Sequence, residues 1–395
     1  MPEVIVIGGG LEGAATAWAL ARRGVTDVLV LERATVGAGM TGKSSGIVRC
    51  HYGVSSLAAM SQYGLEILES AEQHFCQPVG FHRTGYVVGV GDGDVDALDA
   101  NLETQRAVGV QTGRIDESDV AKLWPTAYLG DFAGFAYEPR GGYGDAYMTA
   151  QAFAATARAA GVKIRQGAAV AEIVVETGQV RGVRLRDGEA ITGGNVVLAT
   201  GVWSPSFLNA LGLDLPITVV REQIVMLKPP VDVADVDRLP VFSDLVSLQY
   251  VRPDIGGEIL FGNSDLDTIE TADPDAYSNR ADSDFLAGTV EKLSHRFPGL
   301  ADGAVASTYA GCYDVTPDFN PVMSRTPIAG LVLAVGFSGH GFKIAPAVGR
   351  LVADLVIDGV SSDPRIPESD FRLSRFAEGQ PLTSPHPYSA AGQLR

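Results

Sequence analysis

Val4-Ile5-Val6-Ile7-Gly8-Gly9-Gly10-Leu11-Glu12-Gly13-Ala14-Ala15 begins almost at the first residue of the chain. Four β-branched residues in a row predict a strand buried on both faces of a parallel sheet. Gly8, Gly10 and Gly13 then follow in the pattern G-x-G-x-x-G, and residues 14–21 read as a helix that stops before Gly24. Val28-Leu29-Val30-Leu31 predicts a second strand, closed by Glu32 nineteen positions past Gly13. Each part has a mechanical reason. Gly8 permits a tight turn, Gly10 lets the backbone approach a pyrophosphate, and Gly13 lets helix and strand pack closely. The helix start offers free N–H groups and a positive dipole end to phosphates. Glu32 can accept hydrogen bonds from ribose hydroxyls. Together these features predict a dinucleotide site. They suit NAD and FAD alike, while the acidic Glu32 disfavours the 2′-phosphate of NADP.

The rest of the composition is consistent with a large soluble protein. A chain of 395 residues implies two domains, or three. With 46% hydrophobic and 19% charged residues it can build a large core, which argues against global disorder. A net charge of −17 argues against nucleic acid and anionic membrane as partners. Cys50, Cys76 and Cys312 form no CxxC pair, which argues against a disulfide framework or structural zinc. No signal-peptide pattern precedes the first strand, and no apolar run is long enough to span a membrane. The expected location is the cytoplasm.

After Glu32, the loop over 37–46 is rich in small residues and carries Lys43-Ser44-Ser45; so long a connection points to function. Helices are predicted over 56–75, 94–108 and 148–160, and strands over 85–90, 162–164, 168–175, 180–185 and Asn195–Leu198. Alternating strands and helices imply a doubly wound parallel sheet. From 217 to 309 the pattern changes to alternating strands at 224–227 and 258–261, which predicts an inserted antiparallel sheet. Leu331–Val335 returns to a buried strand, and 347–357 reads as an amphipathic helix. The fold reading is therefore α/β: a parallel-sheet nucleotide domain over 1–80, 145–215 and 320–375, a second, antiparallel-sheet substrate domain over 81–144 and 216–319, and a mobile tail over 376–395.

Gly336-Phe337-Ser338-Gly339-His340-Gly341-Phe342-Lys343 lies between the last predicted strand and helix. Its glycines let the backbone approach a flat or anionic group, and the helix start directs its dipole there. Reduced flavin is anionic around N1 and O2, so a helix start and Lys343 at that place would raise its electron affinity. This favours flavin over nicotinamide. A solvated lysine is the competing reading of Lys343.

With these motifs, Ala199-Thr200-Gly201 and Thr316-Pro317-Asp318, nearly all of residues 1–360 resembles the FAD-dependent amine and amino-acid oxidoreductases, the group of D-amino-acid oxidase, glycine oxidase and sarcosine oxidase. The likeness is closest to sarcosine oxidases and their β-subunits. The resemblance implies a substrate domain roofing the flavin, and oxidation of a C–N bond to an imine that water hydrolyses. It assigns the FAD phosphates and ribose to Gly8, Gly10, Gly13 and Glu32, and the loop reaching the flavin and pyrophosphate to Lys43, Ser44 and Ser45. Val170 falls at the adenine, Gly201 and Trp203 beside the cofactor, and Gly339, Gly341, Phe342 and Lys343 at the flavin's pyrimidine end. Arg49 and Lys343 match the cations that grip the substrate carboxylate; a structural ion pair is the competing reading of Arg49. Tyr250, Arg252 and Tyr313 fall near the same cavity, with an aromatic lid or core packing as the competing reading. His51 reads as packed or solvated rather than catalytic, and the ring of His340 as secondary to its backbone.

Two departures stand out. Gly311 occupies the position of the cysteine that carries flavin in monomeric sarcosine oxidases, and Cys312 is one position out of register, so non-covalent FAD is expected, with covalent attachment through Cys312 as the lesser alternative. Leu260 stands in place of the lysine those enzymes use to activate O₂, which leaves oxidase and dehydrogenase both open. The expected partners are a small-molecule amine or amino acid and O₂ or another electron acceptor, with a homo-oligomer or a redox partner subunit also compatible. The competing functions are a subunit of a larger redox complex, a flavin-binding protein without turnover, and a disfavoured NAD-only dehydrogenase.

Overall fold

The computed structural model describes residues 1–231, 233, 235–265 and 270–389. The quoted stretch forms a strand, a turn and a helix as its pattern dictates: β1 (Val4–Ile7), α1 (Leu11–Arg22) and, after a short loop, β2 (Val28–Leu31). β1 pairs in parallel with β2 on one side and with Asn195–Leu198 on the other. The sheet has six strands, in the order Val322–Arg325, Leu331–Val335, Asn195–Leu198, β1, β2, Lys163–Arg165, and only the first of these is antiparallel to its neighbour.

Both faces of β1 are buried, each in its own core. Val4 and Val6 pack with α1, the helix Ala146–Ala159 and the helix Gly341–Ile357. Ile5 and Ile7 pack with Val170, Val180 and Leu185 of a three-stranded antiparallel sheet. A continuous β-branched run suits a strand with no polar face. The helix predicted over 56–75 is interrupted at Ser70, giving Ser55–Glu69 and Ala71–His74.

The second sheet has nine strands. Towards one end of it Thr218–Lys228 pairs antiparallel with Ile259–Asn263 and along its length with Ala304–Val315. The sheet is mixed rather than wholly antiparallel, because Tyr86–Val90 runs parallel to Val241–Asp244. That pair is formed by strands more than 150 positions apart, a long-range pairing that no local turn signal announces. One face of this sheet packs Phe242, Phe261 and Phe297 around Trp124. The other face presents Ile224, Met226, Tyr250 and Leu260.

The mobile tail expected over 376–395 is instead packed as far as Ser389; residues 390–395 lie outside the described residues. Leu382 donates its N–H to Asp318 (2.8 Å), Asn101 donates to the His386 carbonyl, and Ser389 donates to Asp94. Tyr388 is 4% exposed and its hydroxyl meets His51 Nε2 at 2.7 Å. A polar, Pro-containing segment has no apolar period to reveal packing. Here its backbone groups are satisfied by acceptors and donors of distant segments. Among the described residues, no helix is long and apolar enough to cross a membrane.

Candidate active site

A cavity of about 760 Å³ is walled by both sheets. It reaches from Glu32, Val170 and Trp203 at one end to Tyr313, Gly339 and Phe342 at the other. Gly8, Gly10, Lys43, Ser44, Ser45, Gly201 and Gly341 also line it. Gly13 does not. A Cβ there would sit 1.9 Å from the Gly8 carbonyl oxygen, so its role is the close packing of α1 on the turn. Gly8 adopts φ +103, and a Cβ on it would lie 2.3 Å from the Ala199 carbonyl oxygen.

Glu32 accepts hydrogen bonds from the N–H groups of Gly9 (2.7 Å) and Ala34 (2.8 Å), which fixes its carboxylate at the cavity wall with lone pairs to spare. Lys43 turns its ammonium away to Asn279 (2.7 Å), leaving its stem against Gly311. Trp203 donates to Asp275 and carries the Arg33 guanidinium 3.7 Å above its ring, at the end of the cavity where Glu32 and Val170 lie.

Sequence reasoning missed three residues here. Thr41 accepts from the Leu11 N–H at the start of α1, and its place in the small-residue loop was the available signal. Glu12 has one carboxyl oxygen buried without a partner, and burial together with Asp314 pushes its carboxyl well above the usual range. Asp314 accepts from the Gly336 N–H (2.7 Å) and is pushed up to about 6 by burial.

At the far end a second cavity, of about 40 Å³, is lined by Arg49, Lys343, Tyr250 and Tyr313. Ser44, Ser45, Tyr313, Gly339 and Phe342 belong to both cavity walls. Arg49 and Lys343 are 6% and 5% exposed, and among the described residues neither has a carboxylate within ion-pair distance. The structural ion pair and the solvated lysine are thus both absent. Arg49 donates to the His51 carbonyl and lies 4.3 Å from the Tyr52 ring centroid; Lys343 Nζ lies 5.6 Å from the same ring. Burial and the Arg49 charge hold the Lys343 ammonium well below its ordinary pKa.

Tyr52 was not singled out from sequence, although it closes the segment that contains Arg49. His340 is more than a backbone element, since its Nδ1 hydrogen-bonds the Tyr52 hydroxyl at 3.0 Å. His51 is packed, as read, and burial with Arg49 lowers it to about 3, so it stays neutral. Arg252 does not line either cavity: it pairs with Asp254 (2.7 Å) and donates to the Ser45 and Pro253 carbonyls.

The residues fit FAD. The cavity lies in the upper part of the range for small-molecule sites, about 300–1,000 Å³. The lone buried oxygen of Glu12 offers an acceptor to a ligand rich in hydroxyls. Cys312 pairs with Arg221 in the strand register, so it shares that residue's face, while Gly311 faces the same way as Glu222. Burial raises the Cys312 thiol to about 11, which leaves it a poor nucleophile.

A model of the family "FAD dependent oxidoreductase" (DAO) matches residues 3–355. The chain belongs to this family. It is an FAD-dependent oxidoreductase. It is 30% identical over 390 residues to the sarcosine oxidase subunit beta of Rhizobium meliloti (strain 1021), covering 95% of this chain and 89% of that one. It is 28% identical to 4-methylaminobutanoate oxidase (formaldehyde-forming) of Paenarthrobacter nicotinovorans, covering 96% of this chain but only 46% of the relative. The chain thus spans about half the length of that relative. Among solved structures, L-proline dehydrogenase from P. horikoshii superposes with a TM-score of 0.87 at 27% identity, covering 96% of this chain and 99% of that chain.

Proposed function

We propose that this oxidoreductase oxidises the C–N bond of an amino acid or N-alkyl amino acid to an imine, which water then hydrolyses. The observation that carries the reading is the buried pair of basic groups, Arg49 and Lys343, facing one small cavity with no carboxylate within ion-pair distance among the described residues. Two like charges buried together are costly unless an anion joins them. A substrate carboxylate supplies that anion and is oriented by it, so that the carbon next to nitrogen points at the larger cavity. FAD, when bound, supplies the hydride acceptor. Gly8, Gly10 and Glu32 hold its nucleotide end, with Ser44, Ser45, Val170, Gly201 and Trp203 along its length. Gly339, Gly341, Phe342 and the start of the last helix take the flavin end. The proposed nucleotide domain comprises 1–80, 145–215 and 320–375, and the substrate domain 81–144 and 216–319.

Tyr250 and Tyr313 close the substrate end. Their hydroxyls interact with each other, and burial holds both well above ordinary phenol, so they remain neutral donors. The test is anaerobic bleaching of the flavin by a panel of amino acids and N-methylated amines. Bleaching by carboxylated amines and not by their decarboxylated counterparts supports the reading; no bleaching by any of them overturns it.

A second reading places the chain as the flavoprotein subunit of a larger complex, handing electrons to a partner. It is supported by the β-subunit relatives that the chain covers almost whole. Re-oxidation of the reduced protein by air separates the two. Fast H₂O₂ formation marks an oxidase, and slow re-oxidation a partner-coupled enzyme.

A further inference from the structure

Glu222 is an acid on the wall of the large cavity that neither the nucleotide cradle nor the carboxylate grip uses. Glu222 lies on Thr218–Lys228, directly opposite Gly311 in the strand register. Its neighbours in the strand, Arg221 and Gln223, turn to the other face and bind Asp282. Glu222 therefore shares its face with Ile224, and both line the large cavity. Among the described residues no donor or cation pairs with it. The groups that face it are hydroxyls: Tyr250 from Gln249–Pro253 and Tyr313 from Ala304–Val315, with Tyr309 beyond them. The nearest cation in the loop below, Lys43, has its ammonium on Asn279. Tyr313 belongs to both cavity walls, so it stands between Glu222 and the Arg49–Lys343 pair.

We propose that Glu222 binds the substrate nitrogen and takes its proton, so that the site is built for a zwitterion with its carboxylate on Arg49 and Lys343 and its ammonium on Glu222. The proposal rests on the amino-acid reading above. An amine gives up a hydride from its α-carbon only when the nitrogen lone pair is free, and an ammonium has none. In the step assigned here, the N–H bond of the ammonium breaks and an O–H bond forms on Glu222, leaving a neutral amine and a carboxylic acid. Glu222 is half-buried, and this withdrawal from water raises its carboxyl to about 8, close to the basicity such a transfer needs. A cation placed beside it favours the ionised form, so the substrate itself prepares its acceptor.

The experiment uses the full-length protein with FAD bound. The rate of anaerobic flavin bleaching by sarcosine and by L-proline is followed from pH 6 to 10 in wild type, Glu222→Gln and Glu222→Asp. In parallel, the binding of sarcosine and of propionate, a carboxylate without nitrogen, is measured. At low substrate, where the free enzyme governs the rate, the parent enzyme should lose rate as pH falls below about 8. Glu222→Gln should lower the rate near pH 7.5 roughly 10²-fold, within the range for a lost acid–base group. Its rate should then climb until the free amine itself deprotonates, near pH 10 for an aliphatic amine, at about tenfold per unit. Sarcosine binding should weaken in Glu222→Gln and propionate binding should not, while Glu222→Asp recovers part of the rate. An unchanged pH profile in Glu222→Gln, or equal weakening of both ligands, overturns the assignment. If Glu222→Gln does not fold, Glu222→Asp decides by the same criterion: a profile identical to the parent's rejects the role. If no amino acid bleaches even the parent enzyme, the amino-acid reading has failed, and this inference fails with it.

Discussion

At the nucleotide end of the large cavity, recognition rests on the main chain. Gly8 and Gly13 allow the turn and helix to touch, and Glu32 is held by two backbone N–H groups. At the proposed substrate end it rests on side chains wholly or partly withdrawn from water against their electrostatic preference. Among the described residues, Arg49 and Lys343 have no carboxylate within ion-pair distance, and Glu222 has no cation paired with it. The first end is complete before any ligand arrives. The second is assembled to be completed by one. Binding there relieves cost already present in the folded chain, whereas the nucleotide end contributes shape and backbone dipoles.

The sharpest way to break this contrast is at Gly13. A methyl group 1.9 Å from the Gly8 carbonyl oxygen has no flexible neighbour to move, because the obstruction is backbone. Gly13→Ala should shift α1 off the turn and abolish FAD retention, read as loss of visible absorbance in the purified protein. Overpacking of this kind costs about 1–3 kcal/mol even where a core can yield. Full flavin content in Gly13→Ala would show that the turn is not held as described.

Arg49→Ala strikes the other end. Its effect should fall on substrate and spare FAD, since Arg49 lines the small cavity alone. A charge-assisted hydrogen bond contributes about 1.5–3 kcal/mol, so KM for carboxylated substrates should rise roughly 10- to 150-fold. Steady-state kinetics beside a flavin spectrum check both halves of the expectation. A normal KM would remove Arg49 from the carboxylate grip.

Lys343 gives a smaller and more diagnostic effect. Burial and Arg49 depress its pKa in the free site, and a bound carboxylate restores it. Binding a carboxylate therefore takes up a proton at pH values between the two. Within that window, affinity should fall as pH rises, by up to tenfold per unit. Propionate titrations by calorimetry in buffers of different ionisation enthalpy measure the uptake directly. Lys343→Met should abolish it and leave the remaining affinity flat with pH. Uptake that persists in Lys343→Met would place the titrating group elsewhere.

How much of this the sequence revealed follows the same division. The turn Gly8–Gly13, the strand on each side and Glu32 are contiguous, and their chemistry is local, so a run of residues is enough to read them. The substrate end gathers Arg49, Glu222, Tyr250, Tyr313 and Lys343 from five separate segments. Arg49 and Lys343 were reachable through family likeness and a glycine cluster. Glu222 was not. Which face of Thr218–Lys228 meets the cavity depends on its register with Ala304–Val315, and a shift of one residue would have turned Arg221 or Gln223 inward instead. The packed tail escaped for a related reason, because its partners, Asp318, Asn101 and Asp94, lie far back in the chain.

That tail also touches the substrate end, through His51, and here the expected effect is smallest. Gln105 is a donor to His51 Nδ1, so the ring's proton sits on Nε2 and is donated to the Tyr388 hydroxyl at 2.7 Å. His51 in turn offers its carbonyl to Arg49. Tyr388→Phe keeps the ring stacked on His51 but leaves a buried N–H without its acceptor. The loss should lower stability by about 1–3 kcal/mol. Because it acts on Arg49 only through the His51 backbone, KM should change by a few-fold at most, while FAD binding and kcat stay as they are. Thermal unfolding and steady-state kinetics measured together test this ordering. A KM shift as large as that of Arg49→Ala would mean that the C-terminal segment is part of the carboxylate grip and not merely its support.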